Sequence, residues 1–99
     1  GDHDLWFGEN EHPEVGYLTD LLSRRAVDYV NRMADGANAG TPFMLSLHYT
    51  APHWPWETRD DAHVAPEVAK NLFHLDGGNV ESYRRMIHHM DEGIGWVMD

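Results

Sequence analysis

The sequence predicts an α/β fold in which one buried strand lies between two long helices. Apolar residues recur at helical spacing over about residues 19–35 and again over about residues 79–98. Between these segments, residues 42–49 form a short and nearly all-apolar run, as a strand buried on both faces requires. The 99 residues show no internal boundary or repeat, and we expect them to form one small domain or part of a larger one.

The composition excludes several classes of protein. The formal net charge is −10, from 17 acidic and 7 basic residues, so there is no basic patch to neutralise a nucleic acid or an anionic membrane. The absence of cysteine excludes disulfides, thiolate zinc sites and a cysteine nucleophile within these residues. No apolar run approaches the roughly 18 residues of a membrane span. Because the chain lacks an initiator methionine and ends within a predicted helix, we expect a segment of a longer protein.

The first predicted helix follows an irregular lead-in over residues 1–18, with a short extended piece around residues 5–7. Thr19 is a residue type that caps helix N-termini, and Gly36 is a natural stop at the other end. The predicted buried stripe consists of Leu22, Ala26, Tyr29, Val30 and Met33.

The second predicted helix begins after Asn79, another capping residue type. Gly93 and Gly95 each destabilise it by about 1 kcal/mol relative to alanine unless close packing compensates. Its predicted buried stripe consists of Val80, Tyr83, Met86, Ile87, Met90, Ile94 and Val97.

The strand over residues 42–49 needs hydrogen-bonding neighbours on both edges, and only one convincing strand is visible in the sequence. Its neighbours must therefore come from elsewhere in a longer chain or from another copy. For the isolated chain we expect self-association through this strand.

The loop after the strand contains His53, the strongest candidate for a catalytic residue in the sequence. Pro52 and Pro55 restrict the backbone on both sides of it, which orients the imidazole. An imidazole at the end of a strand can donate a hydrogen bond to an anionic oxygen or pass a proton to a leaving group. Trp54 and Trp56 could supply an apolar wall. The alternative is a packed loop in which His53 only hydrogen-bonds to a backbone carbonyl.

The other histidines do not predict a metal site. His48 falls within the predicted strand, and His88 and His89 are adjacent on a helix, where they point about 100° apart and cannot chelate one ion. The sequence has neither a zinc-binding His-Glu-x-x-His pattern nor a glycine-rich phosphate loop.

Three motifs in order resemble the middle of a type I, arylsulfatase-like sulfatase. They are GYLTDLLSRRAV at 16–27, PFMLSLHY at 42–49 running into APHWP at 51–55, and YRRM at 83–86 continuing to MDEGIG at 90–95. The similarity covers nearly the whole chain from about residue 16. It implies an alkaline-phosphatase-like α/β sandwich, hydrolysis of sulfate esters, a calcium or magnesium ion and a formylglycine nucleophile.

The resemblance assigns one catalytic residue. His53 matches the histidine after Ala-Pro, which in sulfatases contacts the sulfate group and helps the leaving oxygen depart. In the same account Trp54 and Trp56 bind substrate at the pocket mouth. The sequence has no Cys/Ser-x-Pro-x-Arg segment and lacks the upstream paired aspartates that bind metal in sulfatases. The family's downstream Asp-Asn pair would be expected beyond Asp99.

Residues 1–99 are therefore expected to be a partial sulfatase catalytic domain that is inactive alone and binds neither metal nor formylglycine. The resemblance implies a parent that acts on a sulfate-ester small molecule or saccharide, in a periplasmic or secreted location. Two alternatives stay open. One is a phosphodiesterase or phosphonate monoester hydrolase of the same superfamily, and the other is a non-catalytic interaction module.

Overall fold

The computed structural model describes residues 5–54, 56–63, 66 and 79–99. Along the described chain the elements are β1 (Trp6–Phe7), β2 (Asn10–Glu11), α1 (Leu18–Ala34), a short 3₁₀ helix (Gly36–Asn38) and α2 (Val80–Met98). The mixed α/β class and both long helices are confirmed, as is the extended piece around residues 5–7. Two long helices and a small sheet are consistent with a fragment of a larger α/β fold. Within the described ranges, neither helix is long and apolar enough to cross a membrane.

Helix α1 starts slightly earlier than the sequence predicts. The Tyr17 carbonyl already accepts the Leu21 N–H at 3.0 Å, so Tyr17 occupies the N-cap position. The prediction that Thr19 caps the helix is therefore wrong, and Thr19 lies inside the first turn with only 2% of its surface exposed. At the other end Gly36 adopts a φ of 60°, a left-handed conformation that favours glycine and ends the helix as predicted.

Helix α2 begins at the predicted cap. The Asn79 side-chain oxygen accepts the Ser82 backbone N–H at 2.9 Å, which satisfies one of the free donors of the first turn. The buried face is rotated from the predicted stripe, and its buried members are Met86, His89 and Gly93. Three residues of the predicted stripe are instead exposed, namely Val80, Ile87 and Ile94.

The two helices pack against each other through small and polar side chains. The buried apolar residues in the described chain are Ala26, Ala51 and Met86, and the buried polar ones are Thr19, Asp20, Ser23, Thr58 and His89. This composition explains the rotated face of α2. Close approach and hydrogen bonding, rather than the apolar stripe alone, decide which side of the helix is covered.

The predicted buried strand over residues 42–49 is not formed. This segment has no strand assignment, and Phe43, Met44 and Leu45 are 44%, 87% and 37% exposed. The described sheet consists of the antiparallel pair β1–β2. A strand requires a neighbour that supplies hydrogen bonds, and no described segment pairs with residues 42–49.

Candidate functional site

A cleft of about 770 Å³ lies between the N-terminal end of α1 and the loop that follows residue 49. Residues on the loop and on the turn over residues 57–61 line it, together with Met86 of α2. The lining includes His53 and Trp54, so the structure brings two of the three predicted site residues into one cleft.

His53 is held by its own loop through one ring nitrogen. Its Nδ1 lies 2.5 Å from the Trp54 carbonyl oxygen, and because a carbonyl only accepts, the proton is on Nδ1. The His53 backbone N–H also donates to the Thr50 carbonyl at 2.9 Å. Nε2 makes no hydrogen bond to the described residues, and the side chain is exposed. The carbonyl contact named as the alternative role is thus present, and within the described chain it occupies only one of the two ring nitrogens.

The two tryptophans have different surroundings. Trp54 is 39% exposed and contributes to the cleft. Trp56 packs edge-on against Tyr83 of α2, with 5.3 Å between ring centroids, and it is not part of the cleft lining. Trp56 therefore attaches the loop to α2, whereas Trp54 is the tryptophan that a molecule in the cleft could contact.

Arg59 is a cleft residue that the sequence reasoning missed. Its Nη2 donates to Asp20 Oδ1 at 2.9 Å and lies 3.0 Å from Glu92 Oε2. Although burial opposes the charge, the two carboxylates raise the pKa of the guanidinium, so Arg59 stays cationic. Asp20 and Arg59 are 39 residues apart, and no local spacing pattern in the sequence points to such a pair.

Glu92 is the acceptor on α2 for several donors. His89, which is buried, donates from Nδ1 to Glu92 Oε2 at 3.3 Å, and exposed His88 approaches Oε1 at 3.8 Å. The hydrogen bond from His89, opposed by burial and helped by the charge of Arg59, lowers the pKa of Glu92. The adjacent histidines thus converge on one carboxylate.

Two carboxylates of the turn, Glu57 and Asp61, line the cleft, and their pKa values are shifted in opposite directions. Asp61 accepts from the Thr58 backbone N–H at 2.7 Å and from the Thr58 hydroxyl at 2.8 Å. The backbone bond is the main reason that the pKa of Asp61 is lowered. Burial, with the nearby charge of Asp61, raises the pKa of Glu57. Asp61 is therefore committed to closing the turn, while Glu57 is the more easily protonated of the two.

The residues present do not fit the metal ion or the formylglycine that the resemblance implies. Within residues 5–54, 56–63, 66 and 79–99, no group of three or more His, Cys, Asp or Glu side chains could hold a metal ion. The sequence contains no cysteine and no Ser-x-Pro-x-Arg segment from which a formylglycine could arise.

Comparison with known proteins places the chain in a family. The Sulfatase family model matches residues 3–99. The protein described as uncharacterized sulfatase YdeN of Escherichia coli (strain K12) is 28% identical over 87 residues, which are 88% of this chain. The chain spans 14% of the length of that relative. No solved structure matches. Since the family model covers nearly every residue, the chain belongs to the sulfatase family.

Proposed function

We propose that this chain is part of the catalytic domain of a sulfuric ester hydrolase, in which His53 contacts the sulfate group or the leaving oxygen. Family membership supports the reaction class. One observation supports the residue: Nδ1 of His53 is held by the Trp54 carbonyl, Nε2 has no hydrogen bond to any described residue, and the side chain lines a 770 Å³ cleft.

In this proposal Nε2 is the nitrogen of His53 that acts, because Nδ1 is hydrogen-bonded to the Trp54 carbonyl. In an imidazolium both nitrogens donate, so Nε2–H can donate to a departing alkoxide. When that proton leaves, the remaining proton is on Nδ1, where the Trp54 carbonyl already accepts it. The loop therefore favours the neutral tautomer that proton transfer from Nε2 produces.

The substrate in this proposal is the sulfate ester of a small molecule or a saccharide, with the exposed indole of Trp54 as a contact for its organic part. Trp56, which we also expected to bind substrate, packs on Tyr83 outside the lining of this cleft, so we propose that it supports the site by holding the loop against α2. Sulfatases use a calcium or magnesium ion and a formylglycine. We propose that residues of the parent protein outside these 99 bind the metal ion and that the formylglycine is also one of those residues. We also propose a periplasmic or secreted location, on the basis of the family alone.

The test is the hydrolysis of an aryl sulfate by the full-length protein and by its His53→Ala variant. We expect the variant to lose about 10²–10⁴-fold in kcat, the usual contribution of a positioned proton donor. His53→Gln keeps a donor but transfers no proton, so it separates orientation from acid catalysis. His12→Ala alters an exposed histidine outside the cleft and is the matched control. An unchanged rate in His53→Ala would remove His53 from the site.

The same assay separates the rival functions. If the full-length protein hydrolyses an aryl phosphate diester or a phosphonate monoester faster than an aryl sulfate, it is a phosphate enzyme of the same superfamily. If it hydrolyses none of these esters, the interaction-module alternative is favoured. The isolated 99-residue chain is expected to hydrolyse none of them.

We further propose that the isolated chain self-associates through residues 42–49. The support is the exposure of Phe43, Met44 and Leu45 in a segment that has no strand partner among the described residues. Sedimentation velocity is expected to show a dimer or larger species, and Met44→Lys should shift it towards monomer. A monodisperse monomer of the unsubstituted chain would contradict this proposal.

A further inference from the structure

We propose that Arg59 is a positioning residue, which fixes the cleft wall formed by residues 57–61 against both helices and thereby sets the geometry opposite His53. The inference rests on the proposed function for its kinetic consequence. Its structural part can be tested without any activity.

The contacts of Arg59 join three parts of the chain at one nitrogen. Nη2 lies 2.9 Å from Oδ1 of Asp20, in the first turn of α1, and 3.0 Å from Oε2 of Glu92 on α2. The Asp20 side chain is 12% exposed, the Arg59 side chain 31% and the Glu92 side chain 37%, so the junction is shielded from water mainly on the side of α1.

The charges at this junction favour the guanidinium. Asp20 and Glu92 approach the same nitrogen, so without it two carboxylates would lie close together, and the largely buried Asp20 would lose its counter-charge. Among the described residues, the turn has a second ion pair, between Arg85 and Asp60, with exposed fractions of 45% and 63%, and such surface pairs contribute little. Within that part of the chain, Arg59 is therefore the main ionic attachment of the turn to the helices.

The position of the turn determines the shape of the cleft. Residues 57–61 contribute Glu57, Thr58, Arg59 and Asp61 to the same lining as His53 and Trp54. Displacement of a substrate-contacting wall by about 1 Å can reduce a rate about 100-fold, because reacting groups lose their alignment.

The geometry favours positioning over direct contact with sulfate. Nη2 is already shared by two carboxylates, and Nε is buried from solvent, with no hydrogen-bond partner among the described residues. Two anions beside the guanidinium also reduce its attraction for a sulfate group. Arg59 is thus expected to act through the turn, with His53 remaining the group that touches the substrate.

The experiment compares Arg59→Ala and Arg59→Lys with the unsubstituted full-length protein in aryl sulfate hydrolysis. We expect kcat/KM to fall at least about tenfold in Arg59→Ala, and guanidinium chloride at millimolar concentration to restore part of it. Sodium chloride at the same concentration should restore none. Arg25→Ala is the matched control, because Arg25 pairs with Glu14 at 2.7 Å and similar exposure but outside the cleft.

At millimolar concentration guanidinium changes the free energy of unfolding by less than about 0.1 kcal/mol. A loss of activity that comes only from lower global stability should therefore not respond to it. Rescue no greater than that of Arg25→Ala, or a loss that guanidinium leaves unchanged, overturns the proposal. If Arg59→Ala fails to fold, Arg59→Lys is used instead. The lysine keeps the positive charge but lacks the planar guanidinium group, so we expect a fall in kcat/KM that is smaller than in Arg59→Ala but measurable. Unchanged kinetics in Arg59→Lys then overturn the proposal.

Hydrogen exchange makes the structural part independent of the reaction. Amides of residues 58–61 should exchange faster in Arg59→Ala, or in Arg59→Lys if that variant is used, than in the unsubstituted protein. Amides of α1 around Arg25 should be unaffected. If these amides exchange faster in the variant but the unsubstituted protein hydrolyses no sulfate ester, the proposed sulfatase function is wrong, whereas the role of Arg59 in holding the turn is supported. If the exchange rates of residues 58–61 do not change, Arg59 does not hold the turn.

Discussion

A Cβ atom on Gly93 would lie 2.0 Å from the Ser23 Oγ atom, so α1 and α2 meet at a point that only glycine fits. Ser23 is completely buried there and donates its hydroxyl proton to the Thr19 carbonyl at 2.8 Å. Since that proton is used, the Tyr49 hydroxyl must donate to Ser23 Oγ, at 2.7 Å. The contact between the helices is thereby linked to the chain four residues before His53.

Gly93→Ala should destabilise the protein. The added methyl group meets a packed side chain, and overpacking of this kind costs about 1–3 kcal/mol. Gly95→Ala is the matched control on the same helix. It meets nothing within 4 Å, and it should stabilise by about 1 kcal/mol through helix propensity. Urea unfolding of the full-length protein measures both changes.

The double variant Gly93→Ala with Ser23→Gly should recover part of the loss, because it removes the atom that the new methyl group meets. If Gly93→Ala and Gly95→Ala change the free energy of unfolding by the same amount and sign, the close contact is not as described.

Tyr49→Phe should lower the free energy of unfolding by about 1 kcal/mol. The substitution removes the donor to Ser23 Oγ and leaves a buried acceptor unpaired on that side. Tyr29→Phe is the control, since the Tyr29 ring packs edge-on against Phe43 and its hydroxyl makes no hydrogen bond within the described chain. Equal effects of the two substitutions in thermal or urea unfolding would contradict the assigned hydrogen bond.

Asn79→Ala should destabilise α2 by about 1 kcal/mol, because the Ser82 N–H at the first turn loses its acceptor. Asn79→Ser keeps a capping oxygen and should cost much less. Hydrogen exchange at the Ser82 amide is the direct measurement. A similar rate of exchange in both variants would show that the cap contributes nothing.

The lowered pKa of Glu92 predicts a contribution to stability that is present at neutral pH. The hydrogen bond from His89, opposed by burial, and the charge of Arg59 favour the carboxylate in the folded state. That stabilisation is complete above the ordinary value of 4.5 and is lost as the pH falls through the lower folded value. Glu92→Gln should therefore lower Tm at pH 7, and the difference from the unsubstituted protein should shrink in acid.

Glu57 should behave in the opposite way. Burial and the charge of Asp61 raise the pKa of Glu57 in the folded protein. The stability that the protonated Glu57 contributes is therefore fully present below its ordinary pKa of 4.5, and it is lost as the pH rises through the higher pKa of the folded state. Glu57→Gln should raise Tm at pH 7 and leave it unchanged well below pH 4.5. A lower Tm at pH 7 would mean that the Glu57 carboxylate makes a favourable contact.

Features that depend on nearby residues could be predicted from the sequence. Helical periodicity, the cap at Asn79 and the stop at Gly36 act over about one turn, so a local pattern contains the information for them. The prolines beside His53 likewise restrict only the neighbouring backbone. The order of the three motifs was enough to recognise the sulfatase family.

Features that depend on residues far apart in the chain could not be predicted from the sequence and are seen only in the tertiary structure. Residues 42–49 have the composition of a buried strand, but a strand needs neighbours, and none is present among the described residues. The face of α2 that is buried depends on where Gly93 meets Ser23. Arg59 pairs with Asp20 across 39 residues, and Trp56 packs against Tyr83 outside the cleft lining. Such contacts arise only when the helices pack, because no sequence interval encodes the distance between them.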